Sequence, residues 1–288
     1  MFGLEKSGED KPNVGILMMI IAAICFTLMS VIVKYIGHLP VMEITFFRNI
    51  PIILFVPFIL KNKKIPCWGN NKPLLLLRSS FSSFSAIAYF YTVTVMVLTD
   101  AITIKQLSPI LIILLSAIFL REKVDLKKIM IFVITFFGAL FVVKPGFHLN
   151  IYPAVIALLG AISTAGSHIA TRSLRLTDHP LVIVNYFGYS GGLVSLVILL
   201  WQGNFVMPDA VSILALFLLG IVGLGGQFTM TEAYHHAPAN LVSLYLYLQI
   251  AFGALIGLLF FKEIPDIFSI FGSFLIIISG YLNYRLNI

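Results

Sequence analysis

An all-α membrane protein, with ten transmembrane helices arranged as two inverted five-helix repeats, is the fold class this sequence predicts. Three observations point there. The chain is too apolar for water: of its 288 residues 59% are hydrophobic and only 11% charged, with a mean hydropathy of +1.02, whereas much of any soluble globule must face solvent. Its apolar residues fall in continuous runs long enough to cross about 30 Å of hydrocarbon. The second half also repeats the first. The runs do not alternate residue by residue, which argues against a β-barrel.

Ten runs carry the prediction: 14–36, 41–60, 74–97, 98–119, 128–146, 151–171, 180–201, 211–232, 238–260 and 265–284. Residues 1–13 form a polar N-terminal tail, 14–146 a first five-span unit and 151–288 a second. The first run is too long for the apolar core of a signal peptide and no small-residue cleavage site follows it, so it reads as a retained span. Connections are short, which makes sequential spans neighbours and leaves no room for a soluble domain.

The formal net charge is +7 and the pI about 9.4. A basic soluble protein would raise nucleic acid as a partner; here the positive-inside rule accounts for the charge. With a cytoplasmic N-terminus, the cytoplasmic segments hold Lys6, Lys11, Lys61, Lys63, Lys64, Lys72, Arg78, Arg121, Lys123, Lys127, Lys128, Arg172, Arg175 and Arg285. The opposite ends hold only Lys34, Lys144 and Lys262, while Arg48 and Lys105 fall within spans. The asymmetry places both termini in the cytoplasm. Cys25 and Cys67 lack metal-ligand spacing and do not form a disulfide framework.

The repeat is visible as an ungapped match of "YTVTVMVLTDAITIKQLSPILIILLSAIFLREKVD" (91–125) to "EAYHHAPANLVSLYLYLQIAFGALIGLLFFKEIPD" (232–266). In this register Arg121-Glu122 falls on Lys262-Glu263 and Asp125 on Asp266. Because five spans make each unit, the second enters the membrane upside down. Such a duplication offers two packings of similar energy, one open to each side.

Few ionisable groups lie within the runs, and each is costly there, by about 2.5–3.5 kcal/mol on insertion scales. Lys105 lies seven residues from the outer end of its span and Arg48 seven residues from the outer end of its own, roughly 10 Å deep in both cases. Together they would clamp a carboxylate or phosphate. The competing readings are snorkelling of Lys105 toward Glu43 or Asp100 and a structural ion pair for Arg48. Gln106 and Pro109 follow, with the proline freeing the carbonyl of Lys105; this gives either a ligand site or a simple kink. Tyr245 and Gln249, four residues apart, share a face of span 9 that the repeat register brings opposite Lys105 and Gln106, with Tyr247 pointing elsewhere. Interhelical packing is the alternative for Tyr245. Glu232, beside His235 and His236, and His168, within reach of Thr164, are candidates for coupled proton movement alongside Glu43. Tyr91, the repeat partner of Glu232, joins the candidate substrate-binding set. The small-residue stretches "RSSFSSFSA", "GYSGG" and "GIVGLGGQ", and the Gly253/Gly257 pair, read as close helix packing.

Taken together, the ten spans, "EITFFRN" (43–49), "LSPILIILLSAIFLREKVDLKKIMIFVITFFGALFVVKP" (107–145) and "YLQIAFGALIGLLFFKEIPDIFSIFGSFLIIISG" (247–280) resemble the drug/metabolite transporter superfamily of EamA type. The "FFR" span and the surroundings of span 4 resemble, more weakly, bacterial S-adenosylmethionine uptake transporters. The resemblance implies a secondary carrier in the inner or plasma membrane, working by alternating access with proton or counter-substrate coupling, on a small polar or amphipathic metabolite. A cofactor importer and a non-transporting membrane scaffold or lipid-interacting protein are the alternatives. No enzyme is expected, since the sequence contains no H-E-x-x-H, no G-x-S-x-G, no phosphate-binding loop and no paired intramembrane carboxylates. No cofactor and no metal are expected either. The expected partners are a small-molecule substrate, the lipid bilayer and a proton or counter-substrate, with a homodimer as one admissible assembly.

Overall fold

The computed structural model describes residues 11–95, 104–105, 107–120, 126–143, 151–249, 251–252 and 267–285. Among these residues the regular structure is entirely helical. Helices α1 (Pro12–Tyr35), α2 (Val41–Asn62) and α3 (Lys72–Val95) are followed by the shorter α4 (Ser108–Phe119) and by α5 (Leu126–Val143). Then come α6 (Ile151–Leu174), α7 (Pro180–Gln202), α8 (Ala210–His236), the single turn α9 (Ala239–Val242), a 3₁₀ segment Ser243–Tyr247, and α10 (Ile267–Arg285). Four of these, α1, α2, α7 and α8, are long and apolar enough to span a membrane by length and composition among the described residues.

The polarity of the bundle is that of a membrane protein. On α7, Leu193, Val197 and Leu200 point outward at helical spacing, with Leu193 and Leu200 64% and 73% exposed. Gly188, Gly191, Gly192 and Ser195 form the opposite, inward face. Such an apolar outer surface is costly in water at about 25 cal/mol per Å² but matches lipid.

Helices from the two halves of the chain interleave. The most extensive contacts join α1 to α8, α3 to α6, α2 to α7 and α5 to α10. Close approach around α2 depends on missing side chains opposite it: a Cβ on Gly188 would stand 2.4 Å from Ile52 Cγ2, and one on Gly220 2.6 Å from the Pro51 ring. Pro51 lies inside α2 and cannot donate to the carbonyl of Phe47; that carbonyl also abuts Gly220.

Polar ties hold the two ends. At the near end, where α1 begins, Lys11 N–H donates to the carbonyl of His236 at 2.7 Å. There too the Asp178 carboxylate accepts the N–H groups of Asn70 and Asn71, joining the α2–α3 and α6–α7 loops. At the far end, Glu43 accepts Val206 N–H at 3.1 Å, so the start of α2 is tied to the α7–α8 loop. Helix α7 starts at His179, whose Nδ1 accepts Leu181 N–H, and stops at Gly203 with φ +63°.

Two local expectations change. Pro109 sits in the first turn of α4, not in mid-helix, where its missing N–H is one of the orphan donors anyway. Lys105 is helical, as is Ile104, and lies just ahead of α4, where Leu107 N–H donates to the Ile104 carbonyl. Arg78 and Arg172, which charge counting puts with the cytoplasmic cations, are both buried inside the bundle at 0% and 7% exposure.

Candidate functional site

A central cavity opens between the helices, with about 670 Å³ of empty space including its mouth. One helical face of α3 contributes Ser82, Ser85, Ala86 and Tyr89, at positions i, i+3, i+4 and i+7. Opposite are Thr164, Ser167 and His168 of α6. Hydroxyl pairs Ser82–Ser167 and Ser85–Thr164 zip these two helices together beside the cavity. Phe26 and Met29 of α1, Phe90 of α3, Phe187 of α7 and Met230 of α8 supply apolar wall.

Two cations reach the cavity. Lys105 Nζ stands 3.8 Å from the Tyr89 ring centroid and 5.9 Å from that of Phe26. The Tyr89 hydroxyl in turn lies 3.0 Å from Ser30 Oγ, which fixes the ring. Arg48, 3% exposed, sets its guanidinium carbon 4.9 Å from the Phe187 centroid and 5.9 Å from that of Phe90. Among the described residues its Nε and Nη1 have no hydrogen-bond partner, and neither has Nε2 of Gln227, which also lines the cavity. Gly223 lets the arginine fit, since a Cβ there would lie 3.2 Å from Arg48 Cγ. No carboxylate is found among the described lining residues. Glu43 is not part of that lining; its Oε2 accepts Val206 N–H, and its Oε1 has no partner among the described residues.

The donors are thus in excess. Buried donors without acceptors are rare in native proteins, and each costs about 1–3 kcal/mol. An anionic ligand would satisfy them.

The other candidates are distributed as follows. Gln106 lies outside the described residues, as do Asp100 and the Gly253/Gly257 pair. Gln249 lines the cavity, but its companion from span 9 is Leu246 and not Tyr245. The segment Ser243–Tyr247 is 3₁₀, with three residues per turn, so residues three apart share the face. Tyr245 and Tyr247 are both buried, and neither is part of the lining. On α3 it is Tyr89, two residues before Tyr91, that faces the cavity. His168 lines it, bonded through Nδ1 to the Tyr234 hydroxyl at 2.8 Å; Thr164 turns instead to Ser85 and the Gly160 carbonyl. Glu232 lies away from the cavity, 3.4 Å from His236 Nε2 one turn on. Tyr89, Gln227 and Phe187 join the site through the structure; a phenol or amide within an apolar run marks the first two in the sequence, while nothing distinguishes Phe187 from the other phenylalanines.

Fold and site together define an α-helical membrane protein built around a cation-bearing, aromatic-walled cavity. The profile of the EamA-like transporter family matches residues 13–144 and again 152–285, and the chain belongs to that family, whose members are transporters rather than enzymes. It is 34% identical over 269 residues to the pseudopaline exporter CntI of Pseudomonas aeruginosa, covering 92% of this chain and 94% of that one. It is 30% identical over 283 residues to an uncharacterized transporter of Helicobacter pylori, covering 93% of each. With the S-adenosylmethionine uptake transporter of Rickettsia prowazekii it shares 24% identity, over 91% of this chain and 90% of that one. A solved crystal structure superimposes with a TM-score of 0.85 at 15% identity, over 96% of this chain and 99% of its own, which is a likeness of fold.

Proposed function

We propose that this protein is a secondary carrier that moves a small carboxylate-bearing metabolite with an apolar body across the cell membrane by alternating access. The observation that carries the reading is the pair of donors Arg48 and Gln227, unpaired among the described residues, together with the Lys105 ammonium held against ring faces, in a cavity without a carboxylate among its described lining. The aromatic wall suits the apolar part of such a solute.

Ten spans in two inverted repeats are the architecture of this proposal. The interleaved pairing supports it: exchanging helix n with helix n+5 turns the α1–α8 contact into α6–α3 and leaves α2–α7 and α5–α10 in place. The two family matches fall on the two halves. Both termini are placed in the cytoplasm, because the asymmetry of lysines and arginines persists once Arg78 and Arg172 are set aside. The exporter among the relatives favours outward movement, with a proton or counter-substrate as coupling partner.

The second reading, import of S-adenosylmethionine, rests on the Rickettsia relative. That molecule carries a sulfonium and an ammonium against one carboxylate, a net cation, and would meet two like charges here. Thermal stability of the purified protein with phenylsuccinate, its dimethyl ester and S-adenosylmethionine separates the readings. Binding to the folded state at 100-fold excess over Kd adds about 2.7 kcal/mol. The dianion is expected to stabilise the protein, and Arg48→Gln to remove the effect. Stabilisation by S-adenosylmethionine alone would favour the importer, while uptake of no solute by sealed proteoliposomes would leave a scaffold role.

A further inference from the structure

Arg78 is the most fully buried cation in the described structure and takes no part in the cavity lining. It stands six residues into α3 from the near end, about 16 Å along the helix from Tyr89. Its Nε donates to Thr171 Oγ1 at 3.1 Å and its Nη1 to the Ile183 carbonyl at 3.4 Å. Its Nη2 has no partner among the described residues. All these contacts are neutral. A fully buried charge without a counter-charge costs several kcal/mol, and two bonds tying α3 to α6 and α7 need only a neutral amide.

Arg78 and the cavity-lining Arg48 share one aromatic neighbour, Phe187. The guanidinium carbon of Arg78 lies 5.5 Å from the Phe187 centroid, and that of Arg48 lies 4.9 Å from the same centroid. Phe187 and Arg48 both line the cavity. Going from the far end to the near end, the cations are Lys105 against Tyr89, Arg48 against Phe90 and Phe187, and Arg78 against Phe187.

We infer that Arg78 is a second anion-binding subsite, on the near-end side of the Phe187 ring, which takes the carboxylate of the transported solute when the ring turns aside in the alternate packing. This rests on the carrier reading above. Handing a carboxylate from one guanidinium to the next keeps it paired during passage, while Arg78 takes no part in the cavity lining in the packing seen here. The bidentate fork of arginine fits a carboxylate at each stop.

The test uses charged thiol reagents, so it does not need the natural substrate. In a Cys25→Ser, Cys67→Ser background, Thr171→Cys reports on the Arg78 subsite and Ser85→Cys on the central cavity. Sulfonatoethyl and trimethylammonioethyl methanethiosulfonate are applied to proteoliposomes, and rates are normalised to those with free 2-mercaptoethanol. Both reporters are expected to react at least about tenfold faster with the anionic reagent, since an unpaired cation attracts it and repels the other. Phe187→Ala should accelerate labelling at Thr171→Cys. Arg78→Gln should abolish the preference there, and Arg78→Lys should keep it. If Thr171→Cys stays unlabelled even with Phe187→Ala, or reacts equally with both reagents, the subsite is refuted. Neither of these two outcomes depends on substituting Arg78. Loss of anion preference at Ser85→Cys would instead overturn the carrier reading, so the two failures are distinguishable.

Discussion

The ammonium of Lys105 lies 3.8 Å from the ring centroid of Tyr89, close enough for the ring face to hold a charge that no carboxylate of the described lining meets. The phenol is anchored in its turn by Ser30, and the serine by the Phe26 carbonyl one turn back on α1. A cation–π contact contributes about 0.5–2 kcal/mol, more when desolvated, and about 1.4 kcal/mol is tenfold in affinity. Tyr89→Phe keeps the ring and is expected to bind phenylsuccinate within about twofold of the parent protein. Tyr89→Leu frees the ammonium and is expected to weaken binding several-fold to about 30-fold. Titration of purified protein followed by intrinsic fluorescence reads both, and equal affinities for the two variants would show that the ring does not position Lys105.

How much of this was legible in the sequence depended on period and on depth. Runs of apolar residues mark helices whatever their neighbours, so α1, α2, α7 and α8 follow from hydropathy alone. Counting inward from span ends set Arg48 and Lys105 at similar depth, and the structure brings both to one cavity. The face of span 9 was not legible, because assigning Tyr245 to it assumed 3.6 residues per turn, whereas the segment winds with three and presents Leu246. Arg78 was hidden for another reason. A cation in the first turns of a span looks like one that snorkels to the interface, and only the packing of Thr171, Ile183 and Phe187 around it reveals burial.

Glycine at position 188 is a steric requirement of the α2–α7 contact. A Cβ there would fall 2.4 Å from Ile52 Cγ2 and 2.9 Å from Ile52 Cβ, a branched side chain held in a fully buried site. Gly188→Ala should therefore destabilise the protein by about 1–3 kcal/mol, the usual cost of overpacking. Gly225→Ala is the control, since its Cβ would meet only Cys25 Sγ at an ordinary 3.8 Å. Thermal unfolding in detergent should show a clear drop for the first and little change for the second; the reverse order would contradict the packing described.

The near end is latched by one carboxylate. Asp178 accepts from the N–H of Asn70 and of Asn71 and from the Thr177 hydroxyl, while Asn70 Nδ2 donates to the Thr177 carbonyl. Asp178→Ala strands these donors, at about 1–3 kcal/mol for a buried group and less where water reaches them. The α2–α3 loop should then loosen. Cys67 is a free, half-buried thiol in that loop, so its alkylation rate is the direct readout, with Cys25 within α1 as internal reference. A several-fold faster reaction at Cys67 alone is expected. An unchanged rate would mean that the latch does not hold the loop.

His179 makes the same end sensitive to pH. It caps α7 through Nδ1, which accepts Leu181 N–H at 3.2 Å only while that nitrogen is unprotonated. Partial burial, reinforced by the positive charge of Lys63, lowers its pKa below the ordinary histidine value, near 6.5 in unfolded chains. The folded state thus binds fewer protons than the unfolded one. The cap's contribution is complete above about pH 6.5 and declines as the pH falls below it, because the unfolded chain takes up the proton first. His179→Asn supplies a cap that does not titrate. Between pH 7.5 and pH 5.5 the parent protein should lose more thermal stability than His179→Asn does, a difference that cancels the titration of the remaining histidines. If the two proteins lose stability in parallel across that range, the imidazole is not the group that senses pH at this end.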